Sequence, residues 1–327
     1  MVYLGSDVSK STIDCYILSD EKSEHFKIEN NSDGLNKLLE QFKHQDLSKI
    51  HACCESTGIY YLKVAEFLYS YQIKISVVNP LVIKNYARLK LSRIKTDKQD
   101  SKLIAEYCQN QKPKLWQPDS PLKQQIRSLN RRADQLNSLL VMEKNRHQVA
   151  DDCVKLSIEE TIGFLTEQIQ SVKRQIQDLI DNNTDLKQKQ GILETIPGIG
   201  KTTAAWLLSV LVDLNKFPNA KHFVSYLGLT PVIKESGTSV RGLSVISKMG
   251  DRAVRKALYM PARSVCTRSK LWRPWYEQKL EAGKHPKEIY VAMMKKICIY
   301  AYTCLQKNQP FDENLHKRLT SEYGILI

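Results

Sequence analysis

No run of eighteen or more apolar residues occurs among the 327 of the chain, so no segment has the length of a membrane-crossing helix. The opening residues MVYLGSDVSK lack the basic-then-apolar layout of a secretory leader, and on that reading a soluble, cytoplasmic protein without a membrane partner is expected. Cysteine occurs eight times, but never as C-x-x-C and never with Cys/His ligand spacing. That pattern argues against a disulfide framework and a zinc site. Cys53 and Cys54, adjacent in an apolar run, are expected to be small buried thiols. The scarcer charge is the acidic one: 35 Asp and Glu stand against 49 Lys and Arg, a formal net charge of +14. A soluble chain this basic is expected to meet a polyanion. Between 234 and 273 the imbalance is sharpest, with Arg241, Lys248, Arg252, Arg255 and further cations against only Glu235 and Asp251.

Hydrophobic residues make up 42%, enough for packed cores, and the length allows two domains with a connector. Residues 1–112 read as strand, strand, strand, helix, strand, helix, strand and helices, from VYLGSDVS through KIHACCE and IKISVVNP to DKQDSKLIAEYC. That order predicts a mixed α/β domain. From 113 to 187 the pattern is helical. Leu122, Ile126, Leu129, Ala133, Leu136 and Leu140 step by four and three, and a second stripe runs from Ile158 through Ile169 to Leu179. Ser157 and Glu160 read as a capping box opening the second helix. Such helices pair as a hairpin or join two chains; an exposed coiled-coil arm is expected, weakened in assembly by a polar residue at Ile169. Residues 188–312 are helix-rich with loop insertions, and 313–327 read as a tail.

ETIPGIGKTTAAWLL, residues 194–208, ends its turn on Gly-Lys-Thr, as a nucleotide-binding loop does. Such a loop needs glycine at its first position, and Thr195 stands there. It should also follow a buried strand, whereas DLKQKQGILET is polar and helical. What is left is helix, turn, helix. Gly198, Gly200 and Lys201 then offer backbone N–H groups, a helix N-terminus and a cation to one phosphate, in the manner of a helix-hairpin-helix on DNA or RNA.

Asp7 ends the first strand, Glu55 the fourth, and Asp97 and Asp100 lie three apart on the last helix of the first domain. Neighbouring first and fourth strands would bring Asp7 and Glu55 together with that helix beside them. Converging carboxylates repel unless hard cations neutralise them, which points to Mg²⁺ or Mn²⁺ and to phosphoryl transfer.

These four acids, in GSDVSK, CCESTGIYY and KTDKQDSKLIAEY, resemble the D-E-D-D set of RuvC-like nucleases with the RNase H fold. With IPGIGKTTA, YLGLTPVIKESG and RGLSVISKMGDRAVRKALYMPA, the chain resembles the insertion sequence 110 family of transposases, related to the Piv-type DNA invertases, over roughly residues 2–312. Ser6 departs from the apolar residue usual before the first Asp and leaves the carboxylate in place.

A serine in the basic segment could attack a phosphodiester and hold the DNA end covalently, so that strands rejoin without ATP. Spacing leaves Ser236, Ser239, Ser244 and Ser247 open; the resemblance selects Ser236, the serine of ESG. It implies further a composite centre of Ser236 with the metal site, and phosphate contacts by Arg241, Lys248, Arg252 and Arg255. The implied partners are donor and target DNA, a structured non-coding guide RNA, and other copies of the chain as dimers and synaptic tetramers. The competing readings are a metal-dependent Holliday-junction resolvase or endonuclease, in which water attacks, and a Piv-type site-specific invertase; a non-catalytic nucleic-acid binder is a third. No Arg…His-x-x-Arg…Tyr arrangement occurs, which disfavours a tyrosine recombinase.

Overall fold

A computed structural model describes residues 1–20, 22–92, 96–232 and 245–312, and the backbone alone at 235–236 and 240–241. The tail expected at 313–327, with Ser239 and Ser244, lies outside the described residues. The chain divides into two compact units, Met1–Asp119 and one that begins at Ser120.

The first unit follows the order read from the sequence: β1 (Val2–Val8), β2 (Thr12–Leu18), β3 (Ser23–Glu29), α1 (Ser32–Glu40), β4 (Ile50–Glu55), α2 (Tyr61–Ser70), β5 (Lys74–Val78), α3 (Pro80–Leu89) and α4 (Asp97–Gln111). The sheet runs β3-β2-β1-β4-β5. The first three strands form an antiparallel meander, and β4 and β5 run parallel to β1. Alternate residues of a strand face opposite sides, and both sides are covered. One side packs Leu4, Ile13, Ala52 and Cys54 with Leu38 of α1 and Leu68 of α2. The other packs Tyr3 and Cys53 with Ile83 of α3 and Ile104 of α4. Residues beyond 112 still belong here. The Trp116 backbone N–H donates to the Ile75 carbonyl at 2.7 Å, and its ring meets Tyr69 edge-on at 6.1 Å. The compact unit runs to Asp119.

The second unit starts with α5 (Pro121–Val149) and α6 (Asp152–Asp181), joined at Ala150 and Asp151, both extended. Ser120 caps α5 through the Lys123 N–H, and Pro121 occupies its first position, where a missing N–H costs nothing. The two helices form a hairpin: Ile126, Ala133 and Leu136 share one buried cluster with Leu165, Ile169, Val172 and Ile176. The capping box at Ser157 is not formed, because α6 begins at Asp152 and Ser157 lies within it.

Next come α7 (Thr184–Glu194), α8 (Lys201–Leu211), α9 (Ala220–Tyr226), the two-residue strands β6 (Pro231–Val232), β7 (Glu235–Ser236), β8 (Val240–Arg241) and β9 (Val245–Ile246), then α10 (Arg252–Arg268), α11 (Arg273–Glu281) and α12 (Pro286–Lys307). Helix α8 is buried from Thr203 to Leu211, and α12 is buried on most sides between Ile289 and Leu305. A helix apolar nearly all round has to be surrounded: α5, α7 and α10 pack on α8, and α7, α9, α10 and α11 pack on α12. No helix among the described residues is long and apolar enough to cross a membrane. All eight cysteines are free; seven are buried and Cys153 is exposed.

Candidate active site

The register of the sheet sets the acids side by side. Asp7 on β1 lies opposite Asp14 on β2, and Asp14 lies opposite Lys27 on β3. Ser6 lies opposite Cys54 on β4, so Glu55 follows one step on, beside Asp7. These residues form one row across four strands, on the side covered by α3 and α4. Helix α4 can lie against β1 only because residue 5 is glycine. A Cβ there would sit 2.1 Å from the Ser101 carbonyl oxygen and 2.4 Å from the Ala105 nitrogen. Thr96 caps α4 by accepting from the Gln99 N–H at 3.2 Å. Asp97 and Asp100 occupy the first turn of α4, at the positive end of its dipole.

Asp7, Glu55 and Asp100 line one cavity of about 450 Å³, with Lys84 and Arg88 of α3 on its wall. Asp97 does not line it; its carboxylate is 69% exposed and stands 3.8 Å from the Lys27 ammonium. Lys27 also pairs with Asp14 at 2.9 Å, and His25 reaches the same carboxylate at 2.9 Å. The Asp7 carboxyl is pushed up to about 6, first by burial and then by the charges of Asp100, Asp97 and Asp14. Among the described residues no three Asp, Glu, His or Cys side chains stand close enough to hold one metal ion. The donor set is nonetheless all carboxylate oxygen, the chemistry of a hard divalent cation, and a cation would relieve the repulsion that Asp7 carries. The ligand chemistry fits, while the ligand distances are not made.

Five residues of this site have no marked place in the sequence pattern. Asp14, Lys27, Lys84 and Arg88 carry no motif, and Gly5 stands in GSDVSK without a role that its sequence shows. Only the four-residue spacing of Lys84 and Arg88, which puts them on one helix face, was available as a signal.

In the second unit the turn between α7 and α8 contains both glycines, with different tasks. Gly198 has φ +85°, and a Cβ on it would meet Val265 of α10 at 2.3 Å; it is required for packing. Gly200 caps α8 without a side chain and has open space about it, leaving the helix N-terminus accessible beside exposed Lys201. Lys248 is exposed and has φ +55°. Arg252 is exposed at the start of α10, whereas Arg255 is half-buried and donates to the Leu227 carbonyl at 2.8 Å. Asp251 caps α10 through the Ala253 and Val254 N–H groups and pairs with Arg127 at 2.8 Å.

Ser236 lies on β7, opposite Val240 of β8, and Arg241 lies opposite Glu235. The stem of this segment is tied by β6 against β9 and by the Ser247 N–H on the Thr230 carbonyl at 2.9 Å. Two glycines let the stem close. A Cβ on Gly228 would sit 2.9 Å from Lys248 and Met249 backbone atoms, and one on Gly250 would sit 2.1 Å from the Tyr226 carbonyl oxygen.

Residues 4–150 match the DEDD transposase model of the IS110 type, and residues 190–277 match that of the transposase IS116/IS110/IS902 family. Over 318 residues the chain is 34% identical to the pilin gene-inverting protein of Moraxella lacunata, covering 96% of this chain and 99% of that one. The chain belongs to the IS110 family of transposases. The pilin gene-inverting protein of Moraxella bovis matches the transposase with the same identity and coverage. A stretch of 120 residues is 32% identical to the transposase of insertion sequence element IS1328 from Yersinia enterocolitica, 36% of this chain and 34% of that one. The transposase is an enzyme of DNA transposition and recombination. Its five-stranded mixed sheet with helices is consistent with an RNase H-like DEDD domain, which works with divalent metal, and a mainly helical region follows.

Proposed function

We propose that the transposase cuts and rejoins DNA through a covalent phosphoserine intermediate, with Ser236 as nucleophile and Asp7, Glu55, Asp97 and Asp100 as ligands of Mg²⁺ or Mn²⁺. The observation that carries the metal site is the cavity shared by Asp7, Glu55 and Asp100. Bound there, the metal would stabilise charge on the attacking and leaving oxygens. Lys84 and Arg88, on the wall of the same cavity, would hold the non-bridging oxygens of the phosphate. Ser236 Oγ loses its proton and bonds to phosphorus as the strand's P–O bond breaks, and the released hydroxyl takes up a proton. The reverse step, with the hydroxyl of another strand, rejoins DNA without ATP because the phosphoester bond is conserved. Ser236 belongs to the second unit and the acids to the first; a centre drawing on both is what the family resemblance implies.

In the second unit Gly198, Gly200 and Lys201, with Arg241, Lys248, Arg252 and Arg255, contact the nucleic-acid backbone. The open N-terminus of α8 and exposed Lys201 support this reading. A structured guide RNA encoded with the transposase pairs with donor and target DNA, and the enzyme acts as dimers that pair into a tetramer, on DNA inside the bacterial cell. The stripe through Ile169 is used within one chain, so the surface that joins chains is the exposed outer part of the hairpin, which carries Val154, Leu156 and Phe164.

Inversion of a DNA segment is the second reading. It is favoured by the two pilin gene-inverting relatives, which match 96% of the chain.

The test is a denaturing gel for protein–DNA adducts in cells carrying the native element and its flanks. An adduct present with the unaltered enzyme and absent in Ser236→Ala is expected. Cleavage that continues without an adduct and stops only in Asp7→Ala would make the enzyme a hydrolytic resolvase. Glu55→Gln and Asp97→Asn are expected to abolish recombination with nucleic-acid binding retained; efficient recombination by either removes that residue from the metal site.

A further inference from the structure

A second cavity of about 450 Å³ opens in the second unit, where the hairpin of α5 and α6 meets α7, α8 and α10. The described residues that line it include none of the four acids. Its floor is apolar, made by Ala133, Ile176, Ile180, Ala205 and Ala257 with the indole of Trp206, only 6% exposed. The amides of Asn137, Gln177 and Gln190 also line it. The Asn137 amide nitrogen donates to the Ala133 carbonyl at 2.8 Å, leaving its oxygen as an acceptor. Gln177 and Gln190 exchange hydrogen bonds at 3.1 and 3.2 Å.

The rim is basic. Lys256 is held by Asp134 at 2.6 Å, but Lys173, Arg174 and Lys201 make no ion pair among the described residues. The uncapped first turn of α8 reaches the same rim through Thr202. A duplex running past these cations would need only its phosphates met, and would leave the apolar floor unused. A base taken out of its stack uses both parts: it packs on an aromatic ring, hydrogen-bonds amides along its edge, and brings a phosphate to the cations. The volume lies within the range of pockets that take small ligands, roughly 300–1,000 Å³.

We propose that this cavity receives one unpaired nucleotide of the nucleic acid bound by the second unit, with its base against Trp206 and its phosphate at Lys173, Arg174 and Lys201. The proposal rests on the reading that this unit contacts a nucleic-acid backbone at Lys201. DNA and RNA share the chemistry, and the test separates them.

The full-length enzyme is titrated with fluorescein-labelled oligouridylate RNA, oligothymidylate DNA and a DNA duplex. Ala257→Trp fills the cavity and leaves every rim charge in place. It is expected to weaken binding of one single strand, RNA or DNA, by about tenfold or more, with duplex binding unchanged; the strand affected names the source. On the unaltered enzyme, the same strands carrying 5-iodouracil are crosslinked by light and the joined peptides mapped. Adducts at Trp206 or Met260 are expected, and this arm holds even if Ala257→Trp does not fold. Single-strand binding indifferent to a folded Ala257→Trp, or adducts only outside the cavity, would overturn the proposal. Loss of duplex binding in Lys201→Glu alongside an inert Ala257→Trp would leave the backbone contact standing and remove the nucleotide site alone. Binding of neither strand nor duplex would overturn both.

Discussion

Gly5 decides whether the acids can meet. Its missing Cβ lets the Ser101 carbonyl and the Ala105 nitrogen close onto β1, and the same helix turn carries Asp100 into the cavity with Asp7. Gly5→Ala is expected to cost about 1–3 kcal/mol by overpacking and to abolish recombination, read by denaturant unfolding beside a recombination assay. An alanine variant with unchanged stability and activity would show that α4 need not lie so close. Asp7 makes a second prediction at this scale. Its carboxyl is raised from 3.8 to about 6, so the folded enzyme holds the proton more tightly than the unfolded chain does. The stability this confers is complete below pH 3.8 and is lost as pH rises through about 6. In metal-free enzyme Asp7→Asn should therefore melt with the wild type in acid and a few degrees above it at neutral pH. Mg²⁺ should close that gap by raising the wild type alone. A gap independent of pH and Mg²⁺ would mean that Asp7 carries no such strain.

Among the elements, the α5–α6 hairpin changes most between pattern and structure. Ile169 is 5% exposed and packs inside its own unit, so a polar residue there unfolds the hairpin before it can report on assembly. Ile169→Ala is expected to destabilise by about 2–5 kcal/mol. Phe164, 60% exposed, should behave oppositely. Phe164→Asp is expected to leave the melting temperature unchanged and to reduce the mass of the assembly in light scattering with nucleic acid bound. If both variants alter only stability, the outer hairpin is not the surface that joins chains. The stem of the serine segment shows an element set by backbone rather than side chains. Gly228 and Gly250 are needed because the chain passes within contact of itself, a demand that no periodicity announces.

At the scale of the whole molecule, the net charge of +14 governs association, because it acts over distances screened only by salt. Binding to DNA should fall roughly a thousandfold between about 50 and 200 mM salt, as for some six phosphate contacts. Lys201→Ala should lower the slope of that dependence by about one contact. A slope indifferent to Lys201 would place the α8 turn away from the backbone. The two units that divide at Asp119 and Ser120 fold around separate cores, so the proposed chemistry with both the acids and Ser236 would draw on both.

The strand and helix order of the first unit was legible in the sequence, because period-two and period-3.6 patterns are local and each element buries its own face. The four acids were legible as strand-end and helix-start residues, and the IPGIG turn through its glycines and the missing Walker glycine. The pairing of β1 with β4, which sets Glu55 beside Asp7, was inferred from element order and realised by the register. Only the tertiary structure could separate Asp100, in the cavity, from Asp97, beside Lys27. Their spacing is that of one helix face, yet Asp100 lines the cavity while Asp97 stands at Lys27. The same holds for Lys84 and Arg88, and for the cavity built from five helices of the second unit. Sequence determines which faces must be buried; which residues then meet across those faces depends on distances between elements far apart in the chain.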